Sequence, residues 1–189
     1  HQYLASIQYA YHLTLPVYTK DADGNIVKSD VMELLQNMMS SMYGGDYSSY
    51  FSQFGSYYSA MDVWEELLPG EDGTGISPLL ESQYDVLYGR WPEAYDEVVL
   101  VVSENNEISD LVMYAMGLKT EQEMTDAMQA AMKQETIEKS DMSWSYEELC
   151  GHTFQLILPF EHYTQNADGS WTDLSQSEAG MEYLYGSDE

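Results

Sequence analysis

The sequence predicts a mixed α/β domain of the α+β kind, a sheet with packed helices and hairpins, on three observations. Period-two apolar alternation marks strands. Two near-copies of one Asp-Gly turn, YTKDADGNIV at Tyr18–Val27 and YTQNADGSWT at Tyr163–Thr172, mark hairpins. A run of Ser/Thr/Asp-x-x-Glu spacings marks helix starts. Strands and helices intermix without a regular βαβ rhythm, which argues against a doubly wound parallel sheet.

From Ala5 to Val17 the odd positions read Ala, Ile, Tyr, Tyr, Leu, Leu, Val. That alternation predicts a long half-buried strand. The first Asp-Gly copy follows, and glycine there supplies the positive φ a tight turn requires. The second copy is led in by FQLILPFEHYT and led out by SWTDL. Capping-box spacings at Asp30/Glu33, Asp62/Glu65, Thr120/Glu123 and Ser145/Glu148 predict helices near 31–42, 63–68, 121–133 and 146–150. A further helix is expected over ISDLVMYAMGL, closed by Gly117. Met124, Met128 and Met132 recur every four residues beside Ala127 and Ala131, a narrow stripe expected to pack in a core. QYDVLYG and EVVLVVS read as strands, the latter apolar enough to be central.

At 189 residues with 44% hydrophobic content, the chain is expected to form a single domain over 1–189, with room for two lobes. Thirty-three Asp and Glu face six Lys and Arg, a net charge of −27. Nucleic acid and anionic lipid both need cationic partners, so neither is expected to bind. Cys150 stands alone, so no intramolecular disulfide and no Cys-rich metal site can form. No apolar run approaches the roughly 18 residues of a membrane span. The chain opens HQYLASIQYAY, without an initiator Met or a basic leader, and is expected to be a piece of something longer.

Residues 40–59, SSMYGGDYSSYFSQFGSYYS, stand apart: Ser, Tyr, Gly and Phe dominate, with one charge. This resembles the composition of binding loops, where Tyr gives rigid amphipathic contact and Ser and Gly adapt around it. The candidate partner-binding residues are therefore Tyr43, Tyr47, Tyr50, Phe51, Phe54, Tyr57 and Tyr58. The competing reading is a surface insertion whose aromatics tuck back onto the domain.

Catalytic motifs of the Gly-x-Ser-x-Gly, His-Glu-x-x-His, Walker A and Gly-x-Gly-x-x-Gly types are absent from the sequence. His1, His12, His152 and His162 show no ligand spacing. The Asp-Gly repeats invite a calcium reading, but an EF-hand loop needs glycine at position 6 and glutamate at position 12. Counted from Asp21, glycine falls at 4 and Met32 at 12; counted from Asn166, glycine again falls at 4 and Ser177 at 12. Turn-making, with no metal and no cofactor, is the expectation.

One stretch carries a likeness to a known family. Leu79–Leu118 contains Leu87-Tyr88-Gly89-Arg90, then Trp91-Pro92-Glu93, Asp96-Glu97-Val98-Val99-Leu100 and the helix start Ile108-Ser109-Asp110. It resembles the extracytoplasmic domain of FtsX-like, MacB-type ABC transporter permeases, especially large forms from Gram-positive anaerobes. Gly151-His152-Thr153-Phe154-Gln155-Leu156, followed by the second hairpin and Trp171, supports the likeness. Together these segments cover about half the chain; residues 40–75 match nothing in the family.

The resemblance implies a MacB-like periplasmic core domain lying between two transmembrane helices: a soluble head with a porter-like part and a smaller appended lobe, and no active site. Its partners would be the transmembrane helices of the same permease, its ATPase subunit or domain, and an unknown extracellular protein or peptide. Its place would be the extracellular face of the cell membrane, and the excised fragment is expected to be monomeric. The Gly89-Arg90 turn would be structural, glycine allowing the bend and arginine forking onto carboxylates. Beside this stand two other readings. One is a free-standing secreted or cell-surface binding module, for carbohydrate among other ligands, using the Tyr-rich loop. The other is a hydrolase with an acidic pair, which would need a cleft holding two carboxylates with raised pKa values.

Overall fold

The computed structural model describes residues 15–45, 62–70, 75–135 and 142–187. The chain divides into two compact units. One comprises 15–63, 108–142 and 152–189; the other comprises 1–14, 64–107 and 143–151. Each mixes helix with strand or extended chain, and the small sheets are antiparallel, as an α+β chain should show.

The first unit begins with strand β1 (Val17–Lys20), which turns through Asp21–Asn25 into β2 (Ile26–Lys28). Tyr18 faces Lys28 and Lys20 faces Ile26 across this hairpin. Helix α1 (Val31–Tyr43) follows at once. Its N-cap Asp30 accepts from the Glu33 amide at 3.0 Å, but Glu33 does not reach back. Its carboxylate takes Lys28 Nζ at 2.8 Å instead, so the expected capping box is only half made. The helix closes on Gly44, whose φ of 65° lets its amide return to the Ser40 carbonyl.

Val31, Leu34, Leu35 and Met38 fall at i, i+3, i+4 and i+7, so one face of α1 is apolar. That face forms the core: Val31, Leu34 and Met38 are buried with Tyr114, and Leu35, Val63, Leu111 and Met124 pack against them. Tyr114 and Leu111 come from α3 (Asp110–Ala115), and Met124 comes from α4 (Glu121–Met132). Accordingly α3 packs on both α1 and α4. The expected methionine stripe thus enters the core through Met124. It fades before its end, since Ala131 is exposed, and the side chains of Met128 and Met132 lie outside the described residues.

Gly117 ends α3 as expected. Its φ of 72° allows a paired closure, with Gly117 N–H on the Tyr114 carbonyl and Leu118 N–H on the Met113 carbonyl, both at 2.8 Å. Glycine is required twice over, because a Cβ here would stand 2.3 Å from the Lys20 carbonyl oxygen. This close approach, with Ser29 Oγ donating to the Ala115 carbonyl at 2.6 Å, seats α3 against the first hairpin.

The lead-in to the second hairpin does not form one strand. It splits at Pro159 into β3 (Gln155–Leu156) and β4 (Tyr163–Gln165), joined by a turn that the Glu161 carboxylate caps by accepting from Leu158 N–H. β3 joins the first hairpin at β1, giving the sheet order β2-β1-β3. β4 pairs with β5 (Trp171–Asp173), and a 3-10 turn (Leu174–Gln176) leads into α6 (Glu178–Tyr185).

In the second unit lie α2 (Pro78–Gln83) and α5 (Tyr146–Cys150). α5 starts with a complete capping box: Ser145 accepts from the Glu148 amide, and the Glu148 carboxylate accepts from Ser145 N–H at 2.7 Å. The same reciprocal pair at Thr120 and Glu123 starts α4. α2 and α6 escape the capping-box pattern, although each has a serine N-cap and α2 has proline in its first turn.

The expectations over 63–68, QYDVLYG and EVVLVVS are corrected. No helix forms over 63–68, where Pro69 disfavours a helical Leu68. Leu68 instead accepts from Ser77 N–H at 2.9 Å beside a Pro69–Ile76 bridge. Neither QYDVLYG nor EVVLVVS joins a ladder among the described residues, and Val98 and Val101 are 58% and 57% exposed. Of the long strand expected over 5–17, only its end lies within the described residues, where β1 begins at Val17.

Candidate functional site

The two Asp-Gly bends adopt one geometry. In the first, Asp21 and Asn25 pair across the turn at 2.9 Å and Gly24 N–H returns to the Asp21 carbonyl at 2.9 Å. In the second, Asn166 and Ser170 pair at 2.8 Å and Gly169 N–H returns to the Asn166 carbonyl at 3.0 Å. With φ of 87° and 85° at the two glycines, each is a three-residue loop ending in a glycine bulge.

The polar side chains are spent on these turns. Asp21 Oδ1 accepts from the amides of Asp23 and Asn25, at 3.0 and 2.8 Å, while its Oδ2 accepts from Asn25 Nδ2. Asp168 Oδ1 accepts from the Ser170 amide and hydroxyl, and those bonds hold its carboxyl below the usual aspartate range. Among the described residues, no three His, Cys, Asp or Glu converge as a ligand set.

Gly89 bends the chain at a φ of 75°, and Arg90 forks onto Glu97. Its Nη1 donates to Glu97 Oε2 at 2.8 Å and its Nη2 to Glu97 Oε1 at 2.6 Å, while Nη1 also donates to the Trp91 carbonyl. Glu97 Oε2 additionally accepts from the amides of Glu93 and Ala94. The guanidinium first, then the Glu93 amide, pulls the Glu97 carboxyl down to about 2. The guanidinium thus braces the loop by forking onto a carboxylate. Nearby Tyr88 stacks on Tyr146, with centroids 5.8 Å apart, and Tyr146 donates to Asn106.

His152 lies inside the first unit. Its Nε2 shares a 2.8 Å hydrogen bond with Thr19 Oγ1, a side chain of which 1% is exposed, and its ring meets Phe154 edge-on. Burial lowers its pKa. Among the described residues, the Thr19 hydroxyl and the Phe154 ring hold the imidazole in place. Sequence spacing could not reveal the pairing, because Thr19 and His152 are 133 residues apart.

Of the Tyr-rich surface, Tyr47, Tyr50, Phe51, Phe54, Tyr57 and Tyr58 lie outside the described residues; Tyr43 ends α1, with its side chain also outside them. A concavity lined by Gln155, Leu156, Ile157, Glu161, Leu184 and Ser187 holds about 10 Å³, room for one water and no substrate. Among the described residues, no helix is long and apolar enough to cross a membrane. Compared with known protein families, with curated proteins and with solved structures, the chain matches none.

Proposed function

We propose that the chain is a non-enzymatic extracytoplasmic domain of an ABC transporter permease of the FtsX-like, MacB-type kind. As such it transmits conformational change and contacts a substrate or partner outside the membrane. The observation that carries this reading is the Leu79–Leu118 segment, whose Gly-Arg turn and Ser-Asp helix start give the likeness its specificity. Supporting it, Gly89 and Arg90 act as a bend and a brace, and Ser109 caps α3. The division into two compact units accords with a head carrying an appended lobe. Work would be done by rigid-body motion, paired heads opening and closing as their stalks move.

The parent reading frame tests the proposal. Apolar spans of about 20 residues flanking the segment on both sides, with an ATPase encoded alongside, are the expected result. A frame with a secretion signal and no span would sink it and favour the free-standing binding module.

A further inference from the structure

The near-repeat places two equivalent strand edges in one unit, and they differ in what lies beside them. Tyr18 of β1 corresponds to Tyr163 of β4, and the match extends to single bonds. Ser29 N–H donates to the Val17 carbonyl at 2.8 Å, and Leu174 N–H donates to the His162 carbonyl at 2.7 Å. Antiparallel pairs alternate between those that exchange hydrogen bonds and those whose amides point outward. In both hairpins the tyrosine falls in the outward-pointing class, although the Tyr163 amide turns in to the Phe160 carbonyl at 3.4 Å, which leaves the Tyr163 carbonyl and the Gln165 amide and carbonyl along the edge of β4. In the first, that edge is occupied: β3 pairs Val17 with Leu156 and Tyr18 with Gln155. In the second, β4 and β5 make a two-stranded sheet with no third strand among the described residues.

The surface beside the open edge is aromatic and acidic. Register puts Tyr163, Gln165, Trp171 and Asp173 on one face, with Tyr163 and Trp171 as diagonal neighbours. They are 52% and 64% exposed. Glu161, Asp168, Asp173 and Glu178 fall in or around the hairpin, and Glu182 beyond them is paired with Lys20 at 3.3 Å. An exposed edge is a template for strand addition, and aromatic faces among carboxylates attract cations. A second copy of this chain is a poor occupant, since two acidic hairpins repel.

We propose that the open edge of β4 accepts an extended, cationic peptide segment. The segment takes the place that β3 holds in the first hairpin, with its Lys or Arg side chains over Tyr163 and Trp171. Main-chain hydrogen bonds give the affinity, and the charge and the aromatics give the selectivity.

The test uses the full chain and three synthetic octapeptides of alternating Lys–Val, Glu–Val and Lys–Pro, read by amide NMR. The Lys–Val peptide is expected to shift the amides of residues 163–173 and to weaken with salt. Tyr163→Ala or Trp171→Ala should weaken it by about fivefold at unchanged melting temperature, the scale of a cation–aromatic contact. If one variant fails to fold, the other carries the test. Glu–Val should not bind, and Lys–Pro, lacking half the amide donors, should bind more weakly. Any of four results overturns the proposal: no binding, shifts spread over the whole acidic surface, affinity indifferent to both variants, or selective shifts by a neutral oligosaccharide instead.

Discussion

Arg90 and Glu97 form a two-pronged ion pair, at 2.6 and 2.8 Å, across a six-residue loop that glutamate also caps through the amides of Glu93 and Ala94. Arg90 is the chain's single arginine, and the planar fork suits it to this task better than any lysine. Because the folded Glu97 titrates well below its ordinary value, its contribution is present above that value and is lost as pH falls toward about 2. Carboxyl NMR titration of Arg90→Met should return Glu97 toward the ordinary glutamate range. Arg90→Lys should recover only part of the depression. An unmoved titration in Arg90→Met would show that the backbone amides alone hold it.

Gly117 and Gly24 both have positive φ but differ in their surroundings. A Cβ at Gly117 would strike the Lys20 carbonyl, whereas nothing lies within 4 Å of one at Gly24. Gly24→Ala should cost the left-handed strain alone, about 1–2 kcal/mol. Gly117→Ala adds overpacking of about 1–3 kcal/mol. Urea unfolding should rank Gly117→Ala clearly below Gly24→Ala; equal losses would refute the seating of α3 on the first hairpin.

Leu34 is 1% exposed within the cluster of Val31, Met38 and Tyr114. Leu34→Ala should destabilise the first unit by about 2–5 kcal/mol, the usual cost of a cavity at a leucine site. Calorimetry that found less than about 1 kcal/mol would show that the site collapses or that the cluster is not the core.

Burial favours the neutral ring of His152, so the unfolded chain takes up the proton first as the solution is acidified. Its contribution to stability is therefore complete above the ordinary histidine value of 6.5 and declines as pH falls below it. The depressed carboxylates Glu97, Glu148, Asp168 and Asp173 act at lower pH, which separates the two effects. Between about pH 7.5 and 5.5, wild-type stability should fall relative to His152→Gln in paired urea titrations. Parallel curves for the two proteins would remove His152 from the account.

Calcium should bind neither Asp-Gly bend stoichiometrically at micromolar concentration, because Asp21 Oδ1 already accepts two amides. Asp21→Ala should instead cost about 1–2 kcal/mol in hairpin stability through those lost bonds. A calorimetric isotherm with one calcium per bend would reverse the assignment.

How much of this was legible depends on the range of the interaction. The starts of α1, α4 and α5 and the Gly117 closure of α3 were readable because each cap joins groups within about five residues. Both Asp-Gly turns were readable for the same reason. Asp62 and Glu65 carry the same spacing and make no helix, since a cap cannot compensate for a run that meets Pro69. α2 and α6 went unread because their serine caps lack the reciprocal glutamate.

By itself, then, the sequence determined the caps, the bends, the apolar face of α1 and the acidic field, all of which follow from residue chemistry over short spans. Tertiary structure alone decided that β3 docks on β1 rather than continuing into β4. It also decided that Thr19 meets His152 and that, among the described residues, the second of two matching hairpins has no third strand. Those choices are made between segments more than a hundred residues apart, where edges compete for partners and local preference has no vote.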